Sequence, residues 1–235
     1  MTPTSRHIVS AFDDDLIQIE AKIAEMGGLA EQMLSMALTS VENRDQSLAE
    51  EAIAMDGRLD ALEIEVEEMA TQTIALRQPM AQDLRVLISA LKISTTLERI
   101  GDLAKNVAKR ARGFSSQKRM PMTNSIVRMG RATQAQLAEV LNAYSARDTD
   151  AAVAVWNKDI DIDEMYNALF RELVTYMMED SRVIGIGSQM MFIAKNLERI
   201  GDHTTHISEM IYYIVMGEPL GDDRPKGEPL SLEAP

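Results

Sequence analysis

The chain has 235 residues, 24 basic and 37 acidic side chains, a net charge of -13 and no cysteine. At about 150 residues per domain this is one or two compact units with room for a real core. The lack of cysteine excludes a disulfide scaffold and a thiolate metal site. The acidic balance argues against nucleic-acid binding, which needs a positive surface. Aromatic residues make up 4% of the chain and β-branched residues do not alternate, which disfavours an all-β sandwich or barrel. No apolar stretch approaches the ~20 residues of a membrane span, and Met1 to Ala11 lacks the apolar centre of a signal peptide. The expectation is a soluble, acidic, helical protein of the cytoplasm.

Proline marks the breaks. Between Phe12 and Met216 only Pro79 and Pro121 occur, and a proline inside a helix costs about 3 kcal/mol. A first helix is expected on the seam Leu16, Ile19, Ile23, Met26, Ala30, Met33 and Ala37, ending at Asn43-Arg44-Asp45. A second carries Leu48, Ala52, Met55, Leu59, Leu62, Val66 and Met69 and ends at Arg77-Gln78-Pro79. A third carries Val86, Ala90, Ile93, Leu97, Ile100, Ala104 and Val107. Spacings of three and four give each helix one apolar face. At about 30 residues each would span about 45 Å, a length typical of bundles. After a basic connector the pattern restarts at Thr123, breaks at Arg147-Asp148 and at Glu179 to Arg182, and runs on to Met216.

The chain is therefore expected to be all-α, two pseudo-symmetric three-helix bundles. Residues 5–114 form the first, 115–122 a linker, 123–216 the second and 217–235 a disordered tail rich in Pro, Gly and charge. The duplication rests on Leu97-Glu98-Arg99-Ile100-Gly101-Asp102, which recurs as Leu197-Glu198-Arg199-Ile200-Gly201-Asp202. Val86 with Ile186 and Val107 with Ile207 keep the same offset of 100. The earlier helices match at an offset of 103, as in Met26-Gly27 with Met129-Gly130 and Arg44-Asp45 with Arg147-Asp148. The change of register falls near Pro79, in a loop, where it is tolerated.

The repeated hexapeptide sets Glu98 and Asp102, and again Glu198 and Asp202, four residues apart on one helix face. Those carboxylates point roughly 120° or more away from the apolar seam. The second helix of each half carries Asp56 with Asp60, and Asp159 with Asp163. If these helices are neighbours, two carboxylate pairs per half make an oxygen-rich cluster suited to a hard or borderline cation. A solvated acidic face is the alternative for any one pair, but the same repulsion at equivalent positions of both halves has no evident structural need. Gly101 and Gly201 suggest that another backbone approaches closely, with plain packing as the preferred reason. His206 lies four residues beyond Asp202 and extends that stripe, although a solvated or capping role is preferred for it over a ligand. Leu84, Leu87 and Leu91 share the carboxylate face and need cover, from the other bundle in the first instance. The basic run from Lys105 to Arg112, continued by Lys118 and Arg119, suits the negative end of the third helix.

The duplicated hexapeptide, Gln78 to Arg85, Leu169-Phe170-Arg171-Glu172-Leu173 and Arg6-His7 ahead of Phe12 together resemble the PhoU family of phosphate-signalling regulators. The likeness covers about residues 5 to 216. It implies two three-helix bundles and an E(D)xxxD motif that holds multinuclear iron or zinc, falling here on Glu98, Asp102, Glu198 and Asp202. The pairs Asp56/Asp60 and Asp159/Asp163 fit the same spacing. His206 stands where the family pattern has asparagine. The resemblance also implies a homodimer without enzymatic activity, which couples a phosphate ABC transporter ATPase to a sensor histidine kinase and restrains the phosphate-starvation response. It implies contact with the membrane only through those partners, and the acidic balance leaves no nucleic-acid partner expected.

Two other readings compete. A di-metal oxidase in a helical bundle would use Glu three residues before His, pointing into the core, yet positions 200 and 203 are Ile and His. A helical scaffold without metal is the other. No nucleophile–base–orienter set and no Gly-rich phosphate loop is visible in the sequence.

Overall fold

Helix ends fall where apolar periodicity gives way to local turn chemistry. The computed structural model describes residues 3–113 and 120–221, with side chains from Phe12 onward. Helices α1 (Pro3–Asn43), α2 (Gln46–Ala54), α3 (Asp56–Arg77), α4 (Gln82–Arg112), α5 (Thr123–Ala146), α6 (Thr149–Glu179) and α7 (Ile184–Met216) occur in that order, with one 3-10 turn at Ser181–Val183. No strand occurs among the described residues. Most of the expected linker and all of the tail beyond Gly221 lie outside them.

The matched Arg-Asp pairs form a repeated helix-stop and helix-start device. Arg44 and Arg147 take left-handed φ of 59° and 54°, the conformation that ends a helix. The Asp45 side chain then accepts from the amides of Ser47 and Leu48, and Asp148 from that of Ala151, satisfying amides left without helical partners. Gln78 ends α3 in the same left-handed way, and Pro79 comes next.

One expected helix is interrupted. α2 and α3 meet at Met55, which keeps helical angles of φ -71° and ψ -21°, so the pair is a single rod with a kink. Gly57 lies two residues on, and its counterpart in the unbroken α6 is Ile160. Glycine weakens a helix interior, which accounts for the break on one side only.

The structure is six rods around one continuous apolar core. α4 packs on α1, α2, α3 and α7, while α7 packs on α4, α5 and α6. The halves join through α1 against α5 and α4 against α7, which leaves the α2–α3 rod and α6 on opposite flanks. Leu87 is buried and Leu91 half-buried, so helix packing covers much of the leucine face, although Leu84 and its counterpart Ile184 stay partly exposed.

The α1–α5 crossing is reciprocal. A Cβ on Gly27 would stand 2.7 Å from Leu141 Cδ2, and one on Gly130 2.1 Å from Leu38 Cδ2. Leu38 and Leu141 are themselves equivalents at the offset of 103, so each half inserts the same leucine over the other's glycine. Gly28, the next residue, has open space around it. Gly130→Ala is therefore expected to lower stability by about 1–3 kcal/mol through overpacking. Gly28→Ala is expected to raise it by up to about 1 kcal/mol through helix propensity. Thermal unfolding followed by circular dichroism checks both signs, at about 2–4 °C per kcal/mol for a chain of this size.

Candidate functional site

Burial of the seams sets α3 beside α4 and α6 beside α7, so the carboxylate pairs of each half lie on neighbouring helices, all but Asp159 along their outer junction. In the first half Glu98 and Asp102 are part-buried and Asp60 is exposed. The mutual repulsion is felt. Glu98 is held above its ordinary pKa by burial first, then by Asp102, Glu63 and Asp60, against the attraction of Arg99. Asp60 is likewise raised by desolvation, then by Asp56 and Asp102.

Two cations answer that charge. Lys105 Nζ lies 2.6 Å from Asp56 Oδ2 and also donates to Asp102 Oδ1, with both Lys105 and Asp56 only 18% exposed. Burial works against the ammonium, but the hydrogen bonds to Asp102 and Asp56 prevail and raise its pKa. Arg99 reaches Glu98 Oε2 at 3.4 Å and Asp102 Oδ2 at 3.8 Å from a more exposed position, which makes it the weaker partner.

The second half solves the same problem differently. Glu198 Oε1 accepts from Lys195 Nζ at 2.6 Å, while its buried Oε2 has no hydrogen-bond partner. Burial, then repulsion from Asp202 and Asp163, raise the Glu198 pKa against the pull of Lys195. The position of Lys105 is taken by Thr205, buried, with its hydroxyl on the Asp202 carbonyl. Asp159 leaves the outer stripe on which its spacing would put it. It is 1% exposed, and its Oδ1 accepts from Gln136 Nε2 at 3.0 Å.

The hexapeptide glycines face side chains of the neighbouring helix. A Cβ on Gly101 would stand 2.1 Å from Leu59 Cδ2, and one on Gly201 2.7 Å from Asp159 Oδ1. The close neighbours are thus side chains of α3 and α6, and packing is the reason for both glycines. His206 Nδ1 pairs with Glu209 Oε2 at 3.2 Å, and Trp156 Nε1 donates to the other oxygen of Glu209 at 3.3 Å. His206 is thereby tied into a contact between α7 and α6. His203 is held below its ordinary pKa by burial and by Arg199, with Arg99 of α4 adding to the effect.

The grooves differ in how they suit a divalent cation. Among the described residues no three acidic or imidazole groups converge as a metal site requires. In the first half an ammonium bridges the carboxylates, and the donor set does not fit a metal as it stands. In the second half Asp202 and Asp163 both act on Glu198, which keeps a buried oxygen without a hydrogen-bond partner. Those three oxygen donors are of the kind a hard or borderline cation takes, but they stand apart rather than converged. Lys105, Lys195, Glu63 and Gln136 were not legible as site residues. The available signal was the offset of 100, which sets Lys105 against Thr205 and Lys195 against Thr95.

Fold and site together define a class: a duplicated helical bundle with an acidic groove in each half. The PhoU domain family matches residues 23–111 and 126–211, and the chain belongs to it. A phosphate-specific transport system accessory protein PhoU homolog of Caulobacter vibrioides is 46% identical over 228 residues, spanning 97% of this chain and 99% of that protein. The phosphate-specific transport system accessory protein PhoU of Escherichia coli K12 is 38% identical over 214 residues, spanning 91% and 89%. The crystal structure of PhoU from Pseudomonas aeruginosa is similar at a TM-score of 0.86 and 35% identity, covering 88% of this chain and 100% of that one. No helix among the described residues is long and apolar enough to cross a membrane.

A carboxylate whose pKa is raised by folding is protonated more readily in the native state, so stability falls as pH rises from the ordinary carboxylate range through the raised value. Glu198→Gln, which removes that loss, is expected to raise Tm at pH 7 in the presence of a chelator. The gain should vanish near pH 4. A series of thermal melts against pH measures it, and an equal gain at both pH values would contradict the assignment.

Proposed function

We propose that this protein is a non-enzymatic accessory of a phosphate transport system. It acts as a dimer in the cytoplasm, contacting both the transporter ATPase and a sensor histidine kinase, and restrains the starvation response when phosphate is plentiful. The reading is supported by family membership and by relatives named as transport-system accessory proteins that align over nearly their whole length. The observation that carries the site is the repeated Glu-x-x-x-Asp pair, set by helix packing along a groove rather than inside the core.

Glu198, Asp202 and Asp163 would hold the iron or zinc. Bound there, the cation would supply positive charge to a groove whose carboxylates repel, and so fix the relation of α6 to α7. Asp60, Glu98 and the solvent-facing part of Asp102 keep the first groove negative, a surface that a basic segment of a partner would recognise. Lys105 and Arg99 moderate that charge without cancelling it.

The test is a phosphatase reporter in a strain lacking the gene. Deletion is expected to make expression constitutive at high phosphate, and the wild-type gene to restore repression. Glu198→Ala/Asp202→Ala is expected to leave the protein folded but to weaken repression. Full repression by that variant would remove the second groove from the mechanism, and failure of the wild type to restore repression would contradict the accessory role.

A further inference from the structure

We propose that Lys105 is a built-in cation: its ammonium occupies the place in the first groove that a divalent ion would otherwise take, so the first half is metal-independent. The inference rests on the reading that these acidic grooves suit a divalent cation, and it divides the two repeats in how they meet the same charge.

The geometry is specific. Lys105 Nζ bonds Asp56 of α3 and Asp102 of α4 together, so a positive charge already spans the two helices where their carboxylates meet. Of the two oxygens on Asp102, one meets Lys105 and the other faces Arg99. A metal entering here would have to displace an ammonium that is 18% exposed and break two charge-assisted hydrogen bonds, which are roughly twice as strong as neutral ones. The ammonium is also tethered by its own helix, three residues beyond Asp102, so it is always at hand.

The second repeat lacks that lysine. Thr205 stands at its position, and its hydroxyl turns to the backbone. The equivalent of Asp56 is Asp159, which meets the neutral amide of Gln136 instead. Gln136 in turn occupies the position of Met33, so the half with the lysine has a methionine where the half without it has an amide. Lys195 reaches one oxygen of Glu198, a residue of its own helix. The first groove is thus closed by a cation hydrogen-bonded to both of its helices, a role that Thr205 cannot fill in the second.

The test uses zinc alone, with the full chain dialysed against it and zinc per chain measured by elemental analysis. Lys105→Thr copies the second repeat, and Lys105→Met keeps the aliphatic stem in case the threonine variant does not fold; circular dichroism checks both. Either folded variant is expected to hold more zinc than the wild type. The gain should disappear when Asp56→Asn is added, and zinc should raise the variant's Tm more than the same ionic strength of sodium chloride does. A folded Lys105 variant that gains no zinc overturns the proposal. So does wild-type zinc that is lost with Asp56→Asn/Asp102→Asn, since the first groove would then take metal with its lysine in place. The parent reading is judged separately by wild-type zinc that is lost with Glu198→Gln/Asp202→Asn. If the wild type holds none while the Lys105 variants do, the second-groove reading fails and the built-in cation stands.

Discussion

Apolar burial forces like charges together in this fold. α3 meets α4 because Leu59, Leu62 and Val66 have to be covered along with Ile93, Leu97 and Ile100, and α6 meets α7 through Ile162, Leu169, Leu173, Ile193, Leu197 and Ile200; all are buried. Full burial of such a side chain contributes about 1.5–3 kcal/mol, whereas one i,i+4 pair of like charges costs about 0.2–0.5 kcal/mol. The seam decides where the helices lie, and the carboxylates have to accept the groove that results. What is left is a concentrated negative charge with a modest energetic cost. A cation of any kind relieves it.

The halves differ in which cation is at hand. In the first, Lys105 ties α3 to α4, and the repeat is held by its own side chains. In the second, Thr205 cannot do so. Asp159 is drawn into the core by Gln136, and Glu198 keeps one buried oxygen without a hydrogen-bond partner. Duplicated halves are free to diverge in this way because each groove is bordered by its own pair of helices. The shared α1–α5 and α4–α7 contacts, with the reciprocal leucine-over-glycine crossing, hold the halves in one frame. The divergence leaves the first repeat bridged by its own lysine and the second without such a bridge.

The fold was legible because its signals are local. Apolar spacings of three and four join residues one turn apart, and the two internal prolines and the Arg-Asp pairs act within a turn or two of the helix they begin or end. The kink at Met55 was not legible, because a single glycine two residues away only weakens a helix and does not forbid it. The site was legible in part. Spacing along one helix showed which carboxylates share a face, and duplication showed that the arrangement recurs. The cross-helix partners were not visible, because Lys105 and Asp56 are 49 residues apart and nothing local joins them. Lys105 reads as one more cation of the α4 terminus until α3 is set beside it. The burial of Asp159 depends on an amide from α5, a third helix, and Gly101 and Gly201 make room for side chains rather than for a backbone.

The most direct measurement is anomalous diffraction at the zinc edge from crystals of the full chain grown with zinc. The account predicts a zinc peak against Glu198 and Asp202 of the second groove, with Lys105 still bridging Asp56 and Asp102 and no peak between them. A zinc peak between Asp56 and Asp102, with the lysine turned out to solvent, would contradict it.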